Sequence, residues 1–212
     1  MQRAEHEVRI PMRCLREPIA EIFEAARELD KAVMAHLAGD RLRAAEIILA
    51  TNTPTLRKYV ELMWGARSPY VRVIQVPDAP PLIPAALQPK PRMPSPAEKR
   101  ALLARDGYHC RFCGIPVIRP EVRRKIKAAY PDALSWGRKN ATQHAAFQVM
   151  WLQYDHLLPF ARGGPNDIEN MVIACAPCNF SRMNWLLEEV GLLNPREREP
   201  IRSSWDGLER FR

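Results

Sequence analysis

Ile19, Ile22, Phe23, Ala26, Leu29, Val33 and Leu37 recur with a period near 3.6 residues. That spacing predicts an amphipathic helix. Gly39-Asp40 ends it and starts a second helix through LRAAEIILA. Thr53-Pro54 reads as an N-cap with proline at the first helical position. Leu56, Tyr59, Val60, Met63 and Trp64 then give a third helix its apolar face, and Gly65 stops it. Three such helices can pack together, on the rest of the chain or on a partner. No catalytic motif falls here, so residues 1–76 read as a helical scaffold or docking region.

Residues 77–97 break the pattern, with proline at eight of 21 positions. Proline lacks the backbone donor and fixes φ, so an extended, semi-rigid linker is expected. Beyond it, Ser95-Pro96-Ala97-Glu98 reads as a capping box that opens a helix ending near Gly107. A CRFC segment follows, then a basic helical stretch (PEVRRKIKAAY) and a further helix in NATQHAAFQVMW. A short strand runs into Tyr154-Asp155-His156. A Gly-Gly loop, a second strand (MVIAC) and a final helix from about Ala176 to Val190 complete residues 98–191. The tail, 192–212, is polar except for Trp205, Leu208 and Phe211, which either fold back or meet a partner.

Composition narrows the choice. Hydrophobic residues make up 47% of the 212, enough for a packed core. No stretch is long and apolar enough to span a bilayer, and the first residues lack the apolar run of a secretory signal. A cytoplasmic location is therefore expected. The net charge is +8, which favours a polyanionic partner. Segment 114–153 holds seven bases against Glu121 and Asp132. Val122, Ile126 and Ala129 share one helix face there, and Arg123, Arg124 and Lys127 are assigned to the other, facing DNA phosphates. A solvated charged face is the alternative.

Of five cysteines, Cys110, Cys113, Cys175 and Cys178 form two C-x-x-C pairs. Each pair can set two thiolates on one metal, and two pairs complete a tetrahedral zinc site. A redox dithiol is the rival reading. Cys14 stands alone and reads as a small buried residue. His109 flanks a ligand, but four cysteines already fill the shell. His144 reads as a surface or core histidine, and His6 and His36 lie outside these motifs.

Asp155-His156, Pro159, Gly163-Gly164, Asn170 and Cys175-x-x-Cys178-Asn179, with the basic Arg182, occur in an order that resembles the HNH nucleases, or ββα-metal (His-Me finger) family. With CRFC the resemblance covers about 95–190. It implies a zinc-stabilised ββα-metal domain there; with the helical region and the proline-rich linker before it, the expected chain is α+β and mostly helical. It implies His156 as general base, Asp155 and Asn179 as ligands of a catalytic divalent ion, magnesium or another, and Asn170 as the residue that holds the loop bearing the base. The chemistry is consistent with this: a neutral imidazole suits proton abstraction near pH 7, and a hard cation prefers oxygen donors. Arg182, three residues after Asn179 on the same helix, is assigned to a phosphate, with a solvated helix arginine as the alternative. The insert 114–153 is longer than in compact members of the family.

The expected activity is metal-dependent hydrolysis of DNA phosphodiester bonds, with bacterial antiviral defence or restriction as a setting. The alternative is a zinc-stabilised nucleic-acid-binding or docking module without catalysis. A protein partner at the N-terminal helices or tail is compatible with either.

Overall fold

The computed structural model describes residues 11–64, 68–88 and 90–212; His6 and Gly65 lie outside them. Three helices come first: α1 (Ala20–Leu37), α2 (Arg41–Ala50) and α3 (Pro54–Met63). The Asp40 side chain accepts from the Arg43 amide to cap α2, and Thr53 accepts from Leu56 to cap α3. Each cap satisfies an amide that the helix leaves unpaired, for about 1 kcal/mol. Ile22, Ala26, Leu29 and Val33 are buried as the period requires, whereas Leu37 is exposed.

The second part opens with α4 (Pro96–Asp106), whose capping box is reciprocal. The Ser95 amide donates to Glu98 Oε2 at 2.6 Å, and the Glu98 amide donates to Ser95 Oγ at 3.3 Å. The Cys110–Cys113 knuckle follows, then α5 (Pro120–Ala129) and the short α6 (Ala145–Val149). Strands β1 (Leu152–His156) and β2 (Met171–Cys175) pair antiparallel, from Leu152 opposite Cys175 to His156 opposite Met171. The last helix, α7, spans only Ala176–Arg182 rather than reaching Val190. Met183 has φ 54°, which stops it, and a separate 3-10 turn forms at Glu188–Val190. Among the described residues the architecture is α+β and mostly helical, with one small sheet.

The helical region packs on the second part, and one contiguous core runs from Cys14 to Phe211. Polar contacts lock the junction. His144 Nε2 meets the Ile48 carbonyl at 2.9 Å, and the Ala145 amide donates to Asn52 Oδ1 at 2.8 Å. Arg57 donates to the Asn140 carbonyl at 2.8 Å and also reaches Gln148 and the Gln143 carbonyl. Trp64 meets Phe180 of α7 edge-on, with centroids 4.8 Å apart. The tail folds back: Leu208 and Phe211 are buried, Trp205 Nε1 donates to the Val117 carbonyl at 3.1 Å, and Arg210 pairs with Asp30.

The basic face expected on α5 is not one face. Arg123 is buried, its guanidinium 3.5 Å from the centroid of Trp136 and 5.0 Å from that of Trp151. Burial pushes its pKa down to about 10. A flat guanidinium stacks well on indole, so two tryptophans from later in the chain draw this arginine inward. It is unavailable to phosphate, which corrects its assignment as a DNA contact. Arg124 stays exposed beside Glu121 at 3.4 Å, and Lys127 donates to the Trp136 carbonyl at 3.1 Å.

His144 is a fully buried core histidine, its pKa pushed down to about 4 by burial. The folded state keeps it neutral, while the unfolded chain protonates it below about 6.5. Unfolding therefore takes up a proton between those values, and stability falls as pH drops from about 6.5 to about 4. By pH 5 the loss attributable to this group is on the order of 2 kcal/mol. Urea melts at pH 7 and pH 5 should show a smaller drop for His144→Gln than for the wild type.

Candidate active site

Two neighbouring clusters make up the site. In the first, the sulfurs of Cys110, Cys113, Cys175 and Cys178 all lie within 4.8 Å of one another, fully enclosed. Cys113 Sγ and Cys175 Sγ are 3.6 Å apart. A tetrahedron with metal–sulfur bonds of about 2.3 Å has edges near 3.8 Å, so the donor set fits one thiolate-bound metal. Cys14 is buried nearby but outside this group, and burial pushes its thiol up to about 12. His109 is not a ligand; its Nε2 faces Ser203 Oγ at 3.4 Å.

The second cluster lines a cleft of about 120 Å³ that brings together Asp155, His156, Asn179 and Arg182. The end of β1 supplies Asp155 and His156. Cys175 and Cys178 bracket the start of α7, and Asn179, the residue directly after Cys178, lines the cleft. Its Nδ2 donates weakly to Gln153 Oε1 at 3.4 Å.

His156 Nε2 lies 2.7 Å from Asn166 Oδ1. The Asn166 amide group in turn donates to the Pro91 carbonyl, which sets the oxygen toward the imidazole. With the Asn166 oxygen facing it, His156 carries its proton on Nε2 and keeps its lone pair on Nδ1. Burial lowers its pKa, opposed by the Asn166 bond and the Asp155 charge. Asn166 was not singled out in the sequence; its only signal is a polar residue just beyond Gly163-Gly164.

Asn170 fixes the turn after His156. Its Oδ1 accepts from the Leu158 amide at 2.8 Å, and its Nδ2 donates to the carbonyls of Leu158 and Pro165 at 3.1 and 3.0 Å. Its own carbonyl accepts from the Leu157 amide at 2.7 Å. Gly164 is required beneath it. A Cβ there would fall 1.8 Å from the Leu158 carbonyl oxygen.

Arg182 is not the phosphate contact expected of it. It is buried, with Nε donating to Asp155 Oδ2 at 3.2 Å and Nη2 to Oδ1. The carbonyls of His156, Leu157 and Trp185 occupy its remaining donors. Spacing placed it on the right helix but could not show which way it turns. Burial pushes the Asp155 carboxyl up, and the guanidinium opposes that shift. Each Asp155 oxygen keeps a second lone pair, so with Asn179 it can still offer oxygen donors to a hard cation. Arg123, Arg124 and Lys127 are not among the residues lining the cleft.

Searches of curated proteins and of solved structures returned no match. Residues 142–184 match the family model for HNH endonuclease, a span that includes both strands, α7 and the second cysteine pair. The first cysteine pair lies outside that span and is brought to it by the fold. Over residues 142–184 the chain matches the HNH endonuclease family, and the motif order and the cysteine geometry accord with that match.

Proposed function

We propose that this protein is a metal-dependent endonuclease that hydrolyses DNA phosphodiester bonds. The observation that carries the reading is the oriented imidazole: Asn166 meets Nε2 of His156, and Nδ1 has no partner among the described residues in a cleft that also contains Asp155 and Asn179. His156 takes a proton from water at Nδ1, the resulting hydroxide forms a bond to phosphorus, and the bond to the leaving sugar oxygen breaks. Asp155 and Asn179 would hold a divalent cation such as magnesium, which when bound offsets negative charge on the phosphate and the leaving oxygen. Asn170 and Gly164 keep the loop behind the base from moving. Zinc is the metal proposed for the four cysteines, where it ties the first knuckle to α7. Arg124, with the half-buried Lys127, remains a candidate for contacts to more distant phosphate.

One observation favours a second reading, a nucleic-acid-binding module without catalysis: the Asp155 carboxylate is already paired with Arg182. A His156→Ala variant separates the two. On the nuclease reading it keeps its fold and DNA affinity and loses magnesium- or manganese-dependent cleavage by roughly 100-fold or more, the range for a general base. Wild-type protein that binds DNA and cuts none under these conditions would support the binding module.

The pH profile gives an independent check. The deprotonated imidazole is the active form, and burial lowers its pKa. Cleavage should rise with pH through an apparent pKa below the ordinary histidine value of about 6.5, then level off. A profile still climbing well above pH 7.5 would point to a different base.

The two metals should part under chelation. Mild EDTA should stop cleavage and leave the circular dichroism unchanged. Stripping the thiolate-bound metal, or a Cys113→Ser change, should cost the fold. Metal analysis alongside thermal melts reads both effects.

A further inference from the structure

With Arg182 consumed by Asp155, the cleft needs another cation to meet a phosphate. Among the described residues lining it, the other arginine is Arg92, which comes from the proline-rich linker. Arg92 is exposed, and among the described residues no hydrogen bond or ion pair occupies its guanidinium.

The linker is not a loose tether at this point. The Ile83 amide donates to the Ala161 carbonyl at 2.7 Å, and Arg162 Nη1 donates to the Pro80 carbonyl at 2.7 Å. Arg162 is itself held by Glu189 through two contacts of 3.0 and 2.9 Å. Nearer the site, Asn166 donates to the Pro91 carbonyl while its oxygen faces His156. The residue that orients the base therefore also fixes the backbone one position before Arg92. Proline has no amide hydrogen, so its carbonyl is its only main-chain anchor, and Pro80 and Pro91 both use theirs here. The result is a strap that delivers one positive charge to the cleft beside His156.

We propose that Arg92, carried on this strap, binds a phosphate of the nucleic-acid substrate within the catalytic cleft. A planar guanidinium can contact two phosphate oxygens at once. The proposal rests on the nuclease reading for the identity of the reacting group, but the contact itself can be measured without cleavage.

The test uses full-length protein with Arg92→Gln, Arg92→Lys and, as a control on α2 outside the cleft, Arg43→Gln. DNA affinity is measured against salt concentration in a His156→Ala background, and single-turnover cleavage with His156 intact. Loss of one phosphate contact on duplex DNA should reduce the slope of log affinity against log salt by about 0.9. Arg92→Gln should show that reduction and cut roughly 10- to 100-fold more slowly, a loss comparable to removing one preorganised donor. Arg92→Lys should keep the slope and recover most of the rate, and Arg43→Gln should change neither. If the wild type cuts nothing but Arg92→Gln still lowers the slope, the phosphate contact stands and the nuclease reading falls. If the wild type cuts and Arg92→Gln matches it in rate, the assignment to the cleft is overturned. A slower rate with an unchanged slope overturns it too, because Arg92 would then act through the strap's shape.

Discussion

The Arg182 guanidinium lies against the Asp155 carboxylate with both side chains out of water, and three main-chain carbonyls complete its shell. Burying two charges costs several kcal/mol each, and mutual attraction recovers that only when the geometry is good and the other donors are satisfied. Here they are satisfied, so the pair fixes the end of α7 against the end of β1. Removing either partner would strand a buried charge, at a cost on the order of 3–5 kcal/mol. The pair is also specific. The carbonyls it gathers belong to His156, Leu157 and Trp185, so the same arginine sets the exit of β1 and the chain beyond α7. The position of the His156 imidazole depends on that exit.

Around this anchor the cleft is assembled from segments far apart in sequence. Strand β1 brings Asp155 and His156, the loop brings Asn166 and Asn170, α7 brings Asn179, and the linker brings Arg92. Each is held from behind. The cysteine cluster fixes the start of α7. The helical region fixes its outer side, where Ser181 Oγ donates to the Met63 carbonyl and Trp64 meets Phe180. The N-terminal helices thus buttress the site directly, through contacts with α6 and α7.

Much of this was legible in the chain because it is local. The Thr53 cap, the Ser95–Glu98 box and the spacing within each C-x-x-C pair depend on residues three apart, and the structure shows each of them as spaced. What was not legible depends on partners brought in from a distance. The helical period of α5 put Arg123 beside the apolar face, but only Trp136 and Trp151 decide that it turns inward. Arg182 was placed on the correct helix, yet its role was set by a carboxylate 27 residues earlier. Proline content described the linker as extended and could not say that its carbonyls would be bonded to Arg162 and Asn166. For the two arginines a charged side chain was assigned to phosphate, and the fold supplied a specific reason for it to turn inward instead.

The same ion pair bears on how the proposed chemistry would be balanced electrically. Asp155 and Arg182 together carry no net charge, and Asn179 adds only a dipole. On the nuclease reading, a divalent cation meeting those donors alone is weakly compensated, because the field it feels from Asp155 is partly cancelled a few ångströms away. A substrate phosphate brings the missing negative charge, and Arg92 shares in holding that phosphate. Cation and substrate would then favour one another, and the coupling must be equal in both directions. An acidic cage of several carboxylates would behave differently, since it would load the ion first and repel the phosphate of the DNA. On the nuclease reading, pairing Asp155 with a buried arginine would weaken the site for the ion alone and would make the substrate part of the ion's own binding site, so the cleft would become competent when both are present.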